Sequence, residues 1–155
     1  ALSMTILIIC SLICGCSGST SGGIKIDRAI LAAKGIHRKV RESISPNAVR
    51  AVKVDGRIQT DAQVDDAFCY IVCYMLLVVI FASINIAAGL DFTTGLTASI
   101  ACIGNVGPGF GDVGSMSNYS DFPALLKISS VIEMLIGRLE IFPMLYLFGS
   151  FRSKF

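Results

Sequence analysis

Long apolar stretches, interrupted by glycine clusters or by bunched charge, set the plan of this chain. Leu2 to Cys14 is apolar and predicts a helix. The run Gly15-Cys16-Ser17-Gly18-Ser19-Thr20-Ser21-Gly22-Gly23 then disfavours a regular helix, since each interior glycine costs roughly 1 kcal/mol against alanine. Helical periodicity resumes at Ile24, with Ile26, Ala29, Ile30, Ala33 and Ile36 near one side. These segments read as one membrane helix interrupted partway. Backbone opened at membrane depth is tolerated only where protein covers it or a wet cavity adjoins it.

Beyond a short alternating stretch at Val49–Asp61, a weak hairpin signal around Asp55-Gly56, Ala67 to Leu90 carries no charge. That is roughly 24 residues, enough for about 30 Å of hydrocarbon as a helix. After Asp91, the apolar segment Phe92 to Ile103 is too short to cross and suits a re-entrant helix. Gly104-Asn105-Val106-Gly107-Pro108-Gly109-Phe110-Gly111 cannot be helical throughout, and a last apolar stretch runs from Phe122 to Phe151. The predicted order is outer helix, short dipping helix, extended glycine strand, inner helix. The fold class expected is an all-α membrane protein.

Composition agrees with this pattern. The apolar share is 54% and mean hydropathy +0.72, while charged residues make up 15% against roughly 25% in soluble domains. Lys25, Arg28, Lys34, Arg38, Lys39, Arg41, Arg50, Lys53 and Arg57 crowd the segment between Ile24 and Ala67, whereas Gly104 to Asp121 holds only Asp112 and Asp121. The positive-inside rule puts the basic segment, residues 24–63, and the C-terminus with Arg152 and Lys154 in the cytoplasm. No aromatic interleaving supports nucleic-acid binding by the basic cluster. Cys10, Cys14, Cys16, Cys69, Cys73 and Cys102 lie in or beside apolar segments with no Cys-x-x-Cys pair, and His37 is the sole histidine, so zinc spacing is not met. The chain opens at Ala1 inside an apolar stretch without a basic n-region, so Leu2–Cys14 is expected to be a span cut short and the whole a fragment.

The chemistry sits in the glycine strand. A dehydrated monovalent cation needs oxygens in place of its water, and backbone carbonyls supply them without full negative charge. Such a strand must be extended and tightly turned, which calls for glycine. Asn105-Val106-Gly107 meets that demand directly after a short helix whose C-terminal end, near Cys102 and Ile103, points its negative dipole end at the ion. Pro108 stiffens the exit by fixing its φ. A plain Gly/Pro loop is the competing reading. Gly109-x-Gly111-x-x-Gly114 matches a dinucleotide fingerprint by letter, but it follows a helix-like run and opens no helix. Gly18 to Lys25 fails as a phosphate loop, and Gly15-Cys16-Ser17-Gly18-Ser19 fails as a nucleophile elbow. No enzyme signal survives. Glu133, Arg138 and Glu140 sit inside the last span, where ionisable groups face a bundle interior or a watery path. Arg138 can pair with Glu133 or Glu140 as a structural lock, or act as a fixed positive charge beside an ion path.

Taken together, these residues resemble a known family. Gly15 to Lys25 resembles the interrupted inner helix of Trk-type (TrkH-like) potassium-uptake membrane subunits of the Trk/Ktr/HKT superfamily. Residues 105–111 are similar to that family's fourth filter strand, and Gly137-Arg138-Leu139-Glu140-Ile141-Phe142 to its final inner helix. The resemblance implies four pseudo-repeats, each helix–pore loop–helix, around a potassium path. Residues 1–42 would be the inner helix of the third repeat, 43–63 a cytoplasmic linker and 64–155 the fourth repeat. It implies potassium at Asn105, Val106, Gly107 and Pro108, and gating by Gly15, Cys16, Ser17, Gly18, Ser19, Thr20, Ser21, Gly22, Gly23 and Arg138. The implied partners are membrane lipid, the remaining repeats of the subunit, a second copy in a homodimer and a cytosolic nucleotide-binding regulatory subunit. No organic cofactor and no nucleic acid are implied. The alternative is a non-transporting membrane scaffold subunit.

Overall fold

The computed structural model describes residues 2–13, 15, 16, 18, 19, 22–45, 52–54, 56–114, 116 and 119–139. In chain order they form α1 (Leu2–Leu12), α2 (Ile26–Ile44), β1 (Val52–Val54), β2 (Arg57–Gln59), α3 (Asp61–Ala87), α4 (Phe92–Gly104) and α5 (Ala124–Leu139). Apart from the one hairpin, the described regular structure is helical.

The interruption after α1 is an excursion that returns to its own stem. The Ile24 N–H donates to the Leu12 carbonyl and the Ile26 N–H to the Gly15 carbonyl, both at 3.1 Å, and Ile13 bridges Ile24 in parallel. Helix α1 thus hands over to α2 across a pinched loop. Ile24 is the anchor, buried with Tyr70, Tyr74 and Val78 of α3 and Ile100 and Ile103 of α4. The predicted helix over 2–14 ends at Leu12, since Ile13 already belongs to the bridge. Cys14, Ser17, Thr20 and Ser21 lie outside the described residues.

The weak alternating signal is a hairpin, with Val52 opposite Gln59 and Val54 opposite Arg57. It is tied to α2 by the Lys34 ammonium, which donates to the Lys53 carbonyl at 2.7 Å. Arg38 of α2 pairs with Asp61 at 2.5 Å and with Glu42 at 3.4 Å. The Asp61 hydrogen bond raises the guanidinium pKa above its ordinary value. At Gly35 a Cβ would come within 2.5 Å of the Val64 side chain, so α2 and α3 touch where α2 has no side chain.

Helix α3 starts before the charge-free run because Thr60 and Gln63 form a capping box. Thr60 Oγ1 accepts from the Gln63 N–H at 3.4 Å, and Gln63 Oε1 accepts from the Thr60 N–H at 2.9 Å, which satisfies two of the orphan donors of the first turn. It ends at Ala87 rather than Leu90, because Gly89 turns the chain at a φ of +102°. Its 27 residues span about 40 Å at 1.5 Å each, more than a bilayer core needs. Among the described residues it is the one helix long and apolar enough to cross a membrane. Val72, Leu76, Val79 and Ile80 are exposed on it, a face suited to lipid or to neighbouring helices.

Helix α4 has 13 residues, about 20 Å, too short to cross. Yet every residue from Thr97 to Gly104 is buried. A short helix enclosed by α1, α3 and α5 is the arrangement expected of a segment that dips and turns back. Of the last predicted span, 122–151, the structure describes Phe122, Pro123 and α5 to Leu139, and Glu140 with all later residues lies outside the description.

Candidate functional site

The site is assembled around both ends of α4. At its start, Asp91 caps the helix, accepting from the Thr93 N–H at 3.2 Å and from the Thr93 hydroxyl. Those bonds hold the Asp91 carboxyl below the usual carboxylate range.

At its end, Asn105 takes the left-handed conformation (φ +54°, ψ +36°). Its N–H donates to the Cys102 carbonyl (3.1 Å) and that of Val106 to the Ala101 carbonyl (3.0 Å). This pair of bonds is a Schellman motif, which stops a helix while satisfying two of its last carbonyls. The Asn105 side chain turns toward α5, donating to the Met134 carbonyl at 3.3 Å and the Ile103 carbonyl at 3.5 Å. Asparagine is therefore both the helix stop and a cross-link.

The chain then extends through Val106, Gly107 and Pro108. Gly107 has φ +102° with nothing within 4 Å of where a Cβ would lie, so the position demands glycine for its backbone and not for space. The strand's far end is sewn back onto α4. The Phe110 N–H donates to Thr97 Oγ1 at 3.0 Å, the Asp112 N–H to Thr94 Oγ1 at 3.4 Å, and the Gly109 N–H to the Val113 carbonyl at 2.8 Å. Between these fixed ends, no donor among the described residues reaches the carbonyl oxygens of residues 105–108, and all four residues are exposed. A groove of about 340 Å³ separates this strand from Leu7 and Ser11 of α1.

Beneath the strand the interrupted helix closes in. A Cβ on Gly22 would come within 2.5 Å of the Ile103 carbonyl oxygen, 2.9 Å of Asn105 Nδ2 and 3.0 Å of the Gly137 carbonyl oxygen. A Cβ on Gly137 would meet that same Ile103 oxygen. Two glycines from distant segments thus let the loop and α5 reach the C-terminal end of α4 together. Gly23 is held from the other side, its carbonyl accepting from the Tyr70 hydroxyl at 3.4 Å, while the Arg28 guanidinium lies 4.0 Å over the Tyr70 ring. Gly18, by contrast, has open space about it, and Gly15, Cys16 and Gly18 are exposed. The Ser19 N–H donates to the Cys16 carbonyl at 2.9 Å.

Arg138 is exposed and shares its peptide with the Gly137 carbonyl that faces Gly22. Glu133 is fully buried, and no hydrogen-bond partner reaches either of its oxygens. The expected alternative of an Arg138–Glu133 lock is thereby excluded: five residues on one helix lie about 140° apart around its axis. Glu140, the other candidate partner, lies outside the described residues.

A sequence profile of a family described as "Cation transport protein" (TrkH) matches residues 1–153. The chain belongs to the TrkH family. Among curated TrkH-family relatives, it is 34% identical to the Trk system potassium uptake protein TrkG of Escherichia coli K12, over 96% of this chain and 30% of that protein. It is 36% identical to the Trk system potassium uptake protein TrkH of Halomonas elongata, over 92% of this chain and 29% of the relative. The crystal structure of the potassium transporter TrkH from Vibrio parahaemolyticus superposes with a TM-score of 0.83 at 33% identity, over 94% of this chain and 31% of that one. The chain thus spans about 30% of the length of the relatives it matches. An all-α membrane fold of the TrkH type is established by these matches together with the helices above.

Three features of this TrkH-family site were not anticipated from sequence. Thr94 and Thr97, three apart on α4, sew down the strand. Gly137 works as a contact surface and not merely as a neighbour of Arg138. Tyr70 pins Gly23. The threonine spacing was a readable signal, because residues three apart share one helix face; the other two depend on contacts between segments far apart in sequence.

Proposed function

We propose that this chain contributes one selectivity-filter strand and one intramembrane gating loop to a potassium-uptake subunit. One observation carries the reading: four consecutive backbone carbonyls, Asn105 to Pro108, meet no donor among the described residues, at the end of a helix too short to cross. Carbonyls left unpaired within a membrane cost several kcal/mol each unless water or an ion meets them. A potassium ion that has shed its hydration shell supplies that partner. The dipole end of α4 adds a partial negative charge at the same place. The names of the relatives, all Trk potassium-uptake proteins, supply the cargo.

In this reading residues 1–42 are the inner helix of a third repeat and residues 64–155 a fourth repeat, joined by a cytoplasmic linker at 43–63. The loop at 15–23 lies under the filter and, with Arg138, limits passage. Residues 24–63 and the C-terminus face the cytoplasm. The remaining repeats belong to the rest of the subunit, which pairs as a homodimer and receives a cytosolic nucleotide-binding regulatory subunit. The chemistry required is coordination and release of an ion, with no bond made or broken.

The complete subunit reconstituted in liposomes should take up rubidium, a potassium surrogate, far faster than sodium. Liposomes that admit neither ion above the protein-free rate would leave the scaffold reading in its place.

A further inference from the structure

Where the interrupted segment rejoins a helix, one aromatic side chain of α3 holds it at two points. Gly23 sits at φ +84°, outside the range of helix or strand, and no backbone N–H among the described residues donates to its carbonyl. The Tyr70 hydroxyl does, at 3.4 Å. The Arg28 guanidinium lies 4.0 Å over the same ring, where the negative face of an aromatic attracts a cation. Both grips thus fall on the junction between the loop and α2. Ile24, next to Gly23, is buried in one cluster with Tyr70, Tyr74 and Val78, three residues that share a face of α3 by their spacing of four.

The preceding residue is committed on the other side. A Cβ on Gly22 would come within 2.5 Å of the Ile103 carbonyl oxygen and 3.0 Å of the Gly137 carbonyl oxygen. The returning limb of the loop is therefore clamped, with the end of α4 and α5 against Gly22 and with α3 against Gly23. Packing alone asks only for a ring at position 70, which is 2% exposed, and phenylalanine would supply it. A buried hydroxyl costs free energy unless it is bonded. Here it meets a carbonyl that the broken helix leaves without a backbone partner. While that bond holds, Gly22 stays seated beneath the strand.

We infer that Tyr70 is a positioning residue for the gating loop: its hydroxyl on Gly23 and its ring under Arg28 latch the returning limb in the seat that limits passage. This rests on the gating reading of residues 15–23. The test compares Tyr70→Phe and Arg28→Met in the complete subunit in liposomes, with melting temperature, rubidium flux and the potassium-to-sodium permeability ratio as readouts. Tyr70→Phe keeps the ring and its burial and removes only the donor, so melting should stay near the parental value. Flux should rise by about two- to tenfold, the population shift that one hydrogen bond commands, and the permeability ratio should not change because the strand is untouched. Arg28→Met, which keeps the length of the side chain and loses the cation, should raise flux in the same direction. Parental flux in Tyr70→Phe overturns the inference, as does a gain accompanied by a lost ratio, which would tie the hydroxyl to the strand instead. Should Tyr70→Phe fail to fold, Arg28→Met decides alone, and parental flux in it overturns the latch. Gly22→Ala and Arg138→Ala separate the two claims. A gain in these without one in Tyr70→Phe sinks the latch and leaves the loop its role, whereas parental flux in both removes the gating role and the latch with it.

Discussion

Gly107→Ser in the complete subunit should cost at least about tenfold in potassium-over-sodium selectivity. The backbone there sits at φ +102°, and holding a side-chain-bearing residue in such a region costs about 1–3 kcal/mol. Space is not the obstacle, since nothing lies within 4 Å of the added Cβ. The strain can be relieved only by rotating the peptides on either side of residue 107, and those peptides carry the oxygens of Val106 and Gly107. An energy of 1.4 kcal/mol spent on misplacing them corresponds to about a tenfold change in relative ion binding. Permeability ratios from reversal potentials check this. A parental ratio would mean that the strand does not touch the ion.

The second large effect is expected at the proposed gating loop. A Cβ on Gly22 would press on the Ile103 carbonyl oxygen at 2.5 Å, backbone that cannot step aside cheaply. Gly22→Ala should therefore lift the loop from the base of the strand and raise flux, while Gly18→Ala, with nothing within 4 Å, should leave it unchanged. Arg138→Ala should raise flux as well. If the charge came within about 8 Å of a passing cation, at an effective dielectric of about 20, it would add about 2 kcal/mol to the barrier, or about thirtyfold in rate. Flux measured by rubidium uptake decides the matter. Parental flux in both Gly22→Ala and Arg138→Ala removes the gating role from residues 15–23.

How much of this was legible in the sequence depended on the range of the forces involved. The break after α1, the short α4 and the glycine strand were readable because glycine content and apolar run length act locally. Helix ends were readable only to within a few residues. The Thr60–Gln63 box drew α3 out to Asp61, past where the charge-free run begins, and Gly89 ended it early. The roles of Asn105, Thr94 and Thr97 were half visible, since each is an ordinary polar residue until its partner is known. Least visible was the convergence of Gly22, Gly137 and Ile103, which no local pattern encodes. The pairing offered for Arg138 shows the same limit. Two acids lay nearby in sequence, and helix geometry turned Glu133 to a different face.

A filter role for this strand requires a monovalent cation resting against the peptide oxygens of residues 105–108. Crystals of the complete subunit grown with thallium in place of potassium would show this by anomalous scattering. The expected result is a peak within about 3 Å of those oxygens, the contact distance of a carbonyl that has replaced water around the ion. Peaks confined to other parts of the molecule, with these carbonyls bonded instead to protein donors from the remaining repeats, would contradict it.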